Sequence, residues 1–93
     1  MKINFSQDIV KAIPTYMGTN WQNLIKESTF CYTKMYIYSV INGKSLISQQ
    51  LNFELNKLWN NLELDYTDLE NIYILINTVE VGNIKYKKFK GGK

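Results

Sequence analysis

The sequence predicts a small α+β domain, an antiparallel sheet of about five strands with two helices packed on one face, in the order α-β-β-β-α-β-β. Three observations carry that expectation. Leu51, Leu55, Leu58 and Leu62 recur at helical spacing. The stretches 30–41 and 71–81 are rich in aromatic and β-branched residues. Two dipeptides, Asn42 with Gly43 and Gly82 with Asn83, are turn chemistry of the kind that closes hairpins.

Taken in chain order, Ser6 is the expected cap of a first helix, with Asp8 in the first turn where the helix dipole favours negative charge. Ile9, Val10 and Ile13 give it an apolar face, and Pro14 is expected to end or kink it. After a connector containing Gly18, residues 21–29 read as a strand centred on Leu24 and Ile25. Residues 30–41 read as the clearest strand, with Tyr36, Tyr38 and Val40 on one face and Met35, Ile37 and Ile41 on the other. The Asn42 and Gly43 turn then leads into a returning strand over 44–48. The second helix is expected over 49–62, flanked by Phe53 and Trp59. A polar break follows over 63–70, where Thr67 and Glu70 have capping-box spacing for a single helical turn. Strands over 71–81 and 84–89, joined at Gly82 and Asn83, complete the expected sheet, and 90–93 read as a frayed tail.

Ninety-three residues suit one domain, 1–93, and the 45% hydrophobic and 20% charged composition is that of a globular chain. No apolar run approaches the ~20 residues of a membrane span, and residues 1–8 lack the apolar core of a signal peptide. Cys31 is the only cysteine, so no internal disulfide forms, and a reducing cytoplasmic location is expected. There is no histidine, hence no Cys–His pair and no ordinary zinc set. No glycine-rich phosphate loop occurs. Arginine is absent too, and all eleven basic residues are lysine, which disfavours bidentate reading of bases and phosphates. These absences argue against an enzyme and against a metal or cofactor. Binding is the expected activity.

The net charge of +3 is unevenly distributed. Residues 45–83 hold Glu54, Glu63, Asp65, Asp68, Glu70 and Glu80 against Lys57 alone. Glu54, Glu63, Asp65, Asp68 and Glu70 are therefore the candidate partner-binding residues, a docking surface for a cationic protein or else an ordinary solvated edge. Residues 84–93 carry Lys85, Lys87, Lys88, Lys90 and Lys93, which suit phosphate or membrane contact, or protection of an edge strand. Tyr32, Tyr36, Tyr38 and Tyr86 read either as a stacking platform for bases or as cross-strand pairs beneath helices. Cys31 reads as a small core residue.

Ile9, Val10, Lys11, Ala12, Ile13 and Pro14, followed by Trp21, then Tyr36, Ile37 and Tyr38, the 55–62 helix and the 81–86 hairpin, together resemble the YezG-like immunity proteins. The resemblance implies a cytoplasmic antitoxin that neutralises a secreted nuclease toxin by direct protein–protein binding. A nuclease cleft is basic because it holds phosphates, so an acidic patch with aromatic anchors complements it. Alternative readings are a nucleic-acid-binding accessory protein using the Lys-rich hairpin, and a phage-encoded inhibitor of a host enzyme.

Overall fold

The computed structural model describes residues 2–26 and 30–77. They form five α-helices: α1 (Gln7–Met17), α2 (Trp21–Lys26), α3 (Lys34–Ile41), α4 (Gln49–Asn61) and α5 (Tyr66–Asn77). No strand occurs among the described residues, so the expected antiparallel sheet is overturned. The expected α+β domain is all-helical over this region. Of the segments read as strands, 21–26, 34–41 and 71–77 are helical, 30–33 is an irregular connector, and 44–48 is irregular. The expected turn at Gly82 and Asn83, the strand over 84–89 and the tail lie outside the described residues. No helix among the described residues is long and apolar enough to cross a membrane.

The first helix begins as expected, with the Ser6 hydroxyl accepting from the Ile9 amide. It does not end at Pro14, which lies inside α1. Proline has no N–H to donate to the carbonyl four residues back, so the Val10 oxygen loses its helical partner. The Trp21 indole supplies the replacement, its Nε1 donating to Val10 O at 2.9 Å. Gly18, at φ +67°, then reverses the chain, with Gly18 and Thr19 amides closing on Thr15 and Pro14 carbonyls in a Schellman cap. The proline is thus accommodated by the side chain that opens the next helix.

Helix α2 is capped by Asn20, whose side chain accepts from the Asn23 amide at 2.9 Å. Trp21 and Leu24 are buried and Ile25 half-buried, which is helical rather than alternate spacing. Thr33 caps α3 by accepting from the Tyr36 amide. Burial of Ile37 and Val40 with half-burial of Ile41 again follows i, i+3, i+4. The expected hairpin turn is instead the end of α3. Asn42 sits at φ −85° and only Gly43 has positive φ, at +78°, whereas the two-residue hairpin turn needs both positive. The Gly43 and Lys44 amides close on Val40 and Ser39, a second Schellman cap.

Helix α4 matches its expected span, capped by Ser48 and burying Leu51, Leu55, Leu58 and Trp59. It ends in a third Schellman cap with Glu63 at φ +58° and buried Leu64 following. Helix α1 packs on both α3 and α5, and α3 packs on α2. Residues 3–5 run across α4, where two asparagines take the place of a paired strand. Asn52 and Asn56 oxygens accept from the Phe5 and Ile3 amides at 2.8 and 2.7 Å, and both side-chain amides donate to Ile3 O. Ile3 and Phe5 are buried as a result, and Phe5 meets the Trp59 ring edge-on at 6.0 Å. Unlike Trp21, Trp59 keeps its buried indole N–H without an acceptor among the described residues.

Two stability measurements follow from this architecture. Trp21→Phe orphans the Val10 carbonyl and is expected to cost about 1–3 kcal/mol. In a Pro14→Ala background residue 14 regains its N–H, so the same change is expected to cost clearly less. Equal costs in the two backgrounds, from urea unfolding, would show that the indole does not stand in for the missing helical bond. At the end of α3, Gly43→Ala is expected to lose about 1–2 kcal/mol and Asn42→Ala less than about 0.5 kcal/mol. Comparable losses at both positions would instead indicate a hairpin turn.

Candidate functional site

Helix α5 is built by a reciprocal cap at Asp65 and Asp68, two residues ahead of the spacing noted at Thr67. The Asp65 amide donates to Asp68 Oδ2 at 2.8 Å, and the Asp68 amide donates to Asp65 Oδ1 at 3.1 Å. Both carboxylates lie at the positive end of the helix dipole. The expected single turn therefore extends through 12 residues. Asp68 is only 8% exposed and accepts a further hydrogen bond from the Tyr16 hydroxyl at 2.5 Å, tying α5 to α1. Burial, together with that bond to Asp68, pushes the Tyr16 phenol up to about 12.

The five acidic candidates therefore divide. Asp68 is internal. Glu54 is also internal, 5% exposed on α4, where Gln50 Nε2 donates to it at 3.1 Å and Lys57 Nζ pairs with it at 3.6 Å. Its carboxylate also hydrogen-bonds the Cys31 thiol and so raises that thiol from its ordinary value. Cys31 itself is exposed, not a core residue. Glu63, Asp65 and Glu70 remain on the surface.

Around those three acids the helix assembles residues that a strand reading separates. On α5, Tyr66, Thr67, Glu70, Tyr73, Ile74 and Asn77 fall within one arc of the helix, and all six are exposed. Asp68 and Ile72 are buried on the opposite side. Tyr66 is 67% exposed, and Tyr73 and Ile74 are each 46% exposed, on a face where polar side chains are the ordinary content. The outward face of α5 thus combines two tyrosines and an isoleucine with Glu70, and Glu63 and Asp65 at its leading end. Sequence reading missed Tyr66, Tyr73 and Ile74. The spacing of 66, 70, 73 and 77 was the signal available.

The tyrosine platform does not assemble as expected. Tyr32 and Tyr36 stack on each other at 5.1 Å, continuing a row from Trp21 through Phe30, and both are half-buried. Tyr38 is two positions from Tyr36 on a helix and so faces roughly the opposite way. Tyr86 lies outside the described residues. Among the described residues no group of three or more His, Cys, Asp or Glu side chains could hold a metal ion.

No family model, curated protein or solved structure matches this chain. Of the segments behind the resemblance to YezG-like immunity proteins, residues 36–38 are helical rather than extended, and 81–86 lie outside the described residues.

The Tyr16–Asp68 contact gives a pH test. The folded-state value of about 12 lies above the ordinary 10.0, so the folded chain holds this proton more tightly than the unfolded chain. Its contribution is full below pH 10.0 and is lost as pH rises toward about 12. Tyr16→Phe is expected to be about 1–3 kcal/mol less stable at neutral pH. The gap to wild type should then narrow by roughly 2–3 kcal/mol across that window, because phenylalanine cannot ionise. A gap that stays constant in urea unfolding as pH rises would rule out this contribution.

Proposed function

We infer that this chain is a small binding protein that inhibits a cationic partner by direct protein–protein contact, in the manner of an immunity protein facing a nuclease toxin. The carrying observation is the exposed α5 face, where Tyr66, Tyr73 and Ile74 stand beside Glu63, Asp65 and Glu70. Tyrosines make efficient anchors because they bury a large area while freezing few torsions. The acids add steering toward a basic surface and raise the encounter rate more than the final affinity. A phosphate-binding cleft offers such a surface. Glu54 and Asp68 drop out of the contact and act as structural groups, since reversing either would place a lysine among buried partners.

The test uses full-length chain as bait for basic proteins from its native cell, with nuclease activity of each captured protein measured with and without bait. Tyr66→Ala with Tyr73→Ala is expected to weaken capture of an inhibited nuclease by at least about thirtyfold, the effect of losing anchor residues. Glu63→Lys with Glu70→Lys is expected to slow association at low salt most strongly. Thermal midpoints should stay near wild type for both. Undiminished inhibition by the tyrosine variant sinks the proposal. So does a chain that captures only oligonucleotide and loses it when Lys85, Lys87, Lys88 and Lys90 become Gln.

A further inference from the structure

The segment that crosses α4 has one edge occupied and the other open. Lys2 and Asn4 are exposed while Ile3 and Phe5 are buried, the alternation of an extended strand. Asn56 and Asn52 take the Ile3 and Phe5 amides, and the Ile3 carbonyl receives both side-chain amides in return. Successive peptide groups of an extended chain point to opposite sides, so the amide and carbonyl of Asn4 face away from these asparagines. Neither has a hydrogen-bond partner among the described residues. An open amide and carbonyl on one strand residue are what an incoming strand bonds to.

Asn4 also lines a cavity of about 730 Å³, within the ~300–1,000 Å³ usual for binding sites. Phe5, Ile47 and Phe53 supply its apolar wall, and none of its described lining belongs to α5. Phe53 is 58% exposed and Leu46, next to Ile47, is 88% exposed, so two large apolar side chains stand open beside it. Of the described lining Lys2 alone is charged, and Lys57 sits over the Phe53 ring at 5.6 Å. Glu54, which pairs with Lys57, is itself buried. The charge offered to an occupant is therefore positive. We propose that this cavity docks an extended, acidic segment of a partner protein, which adds as a strand to the open edge at Asn4. Its main chain bonds the Asn4 amide and carbonyl, an apolar side chain packs on Phe5, Ile47 and Phe53, and an acidic side chain meets Lys2. The α5 face presents acids and this one lysines, so the two suit occupants of opposite charge. The strand site does not depend on the α5 face.

The test titrates isotopically labelled full-length protein with a synthetic peptide of alternating valine and glutamate and follows the amide signals. Those of Asn4 and Phe53 are expected to move together, while Tyr66 and Tyr73 on α5 stay in place. The same peptide with its backbone amides N-methylated cannot donate to the Asn4 carbonyl, and a valine–lysine peptide carries the wrong charge. Both are expected to bind at least about tenfold more weakly. Asn4→Pro removes the open amide and should weaken binding by about tenfold, whereas Asn4→Ala keeps it and should bind as wild type. Lys2→Glu with Phe53→Ser changes only exposed side chains. Its thermal midpoint should stay near wild type while binding falls at least about tenfold, so it decides the matter if proline at position 4 unfolds the chain. Asn4 and Phe53 signals that stay still at peptide concentrations on the order of millimolar overturn the proposal. Equal affinity for the N-methylated or the lysine peptide overturns it too. An Asn4 signal that shifts with protein concentration alone assigns the edge to a second copy and likewise overturns it.

Discussion

The carbonyl oxygen of Val10 cannot be satisfied by its own helix, and the arrangement of the domain follows from the group that satisfies it. Pro14 lacks the N–H that would normally close that turn, and the Trp21 indole does so from the next helix. To reach it, the chain must reverse tightly, which the left-handed Gly18 allows. Trp21 then sits buried against α1, and its ring starts the aromatic row through Phe30, Tyr32 and Tyr36 that leads to α3. Helix α3 in turn packs on α1 and is tied to it where Gln7 Nε2 donates to Ile41 O. A local defect in one helix thus orients the two that follow.

Helix α5 shows how a count of charges along a chain differs from the charge its surface presents. Asp65 and Asp68 sit three residues apart, yet they do different things. Asp68 turns inward to the Tyr16 hydroxyl and closes the cap, and Asp65 completes the cap from the surface. Glu54 is likewise drawn inside by Gln50, Lys57 and the Cys31 thiol. What remains outside is a smaller acidic set mixed with tyrosines. That mixture is what gives the face character, since exposed acids alone are ordinary solvated groups.

The leucines of α4 and the hydroxyl cap at Ser6 were legible in the sequence, because each depends on spacing within one or two turns, whereas Ser48, which caps α4, read as the end of a strand. The other helices were not. Over 34–41, residues 36, 38 and 40 alternate as a strand would, and 37, 40 and 41 repeat as a helix would, so the apolar pattern alone is ambiguous. β-Branched and aromatic content tipped the reading toward a sheet, and packing against α1 and α2 overrode that preference. The deciding signals were the ends: Thr33 as a cap and Gly43 as a terminator, the latter taken for a hairpin because Asn precedes it. At the site, the acidic residue types were visible, but the inward turn of Asp68 depended on the helix phase of 66–77, which the polar-break and strand reading concealed, and that of Glu54 on partners brought to α4 by the fold.

The carboxamides of Asn52 and Asn56 have a consequence for the order in which the domain can be completed. Residues 3–5 leave the ribosome well before α4, yet their backbone partners lie 47 and 53 positions downstream. Until α4 exists, Ile3 and Phe5 have nowhere to bury, and Trp59 lacks one of its walls. The helices can form from local contacts within microseconds, whereas this closure joins distant parts of the chain and comes late. During synthesis Ile3 and Phe5 therefore stay uncovered until α4 has emerged, an interval in which their apolar side chains are open to chaperones.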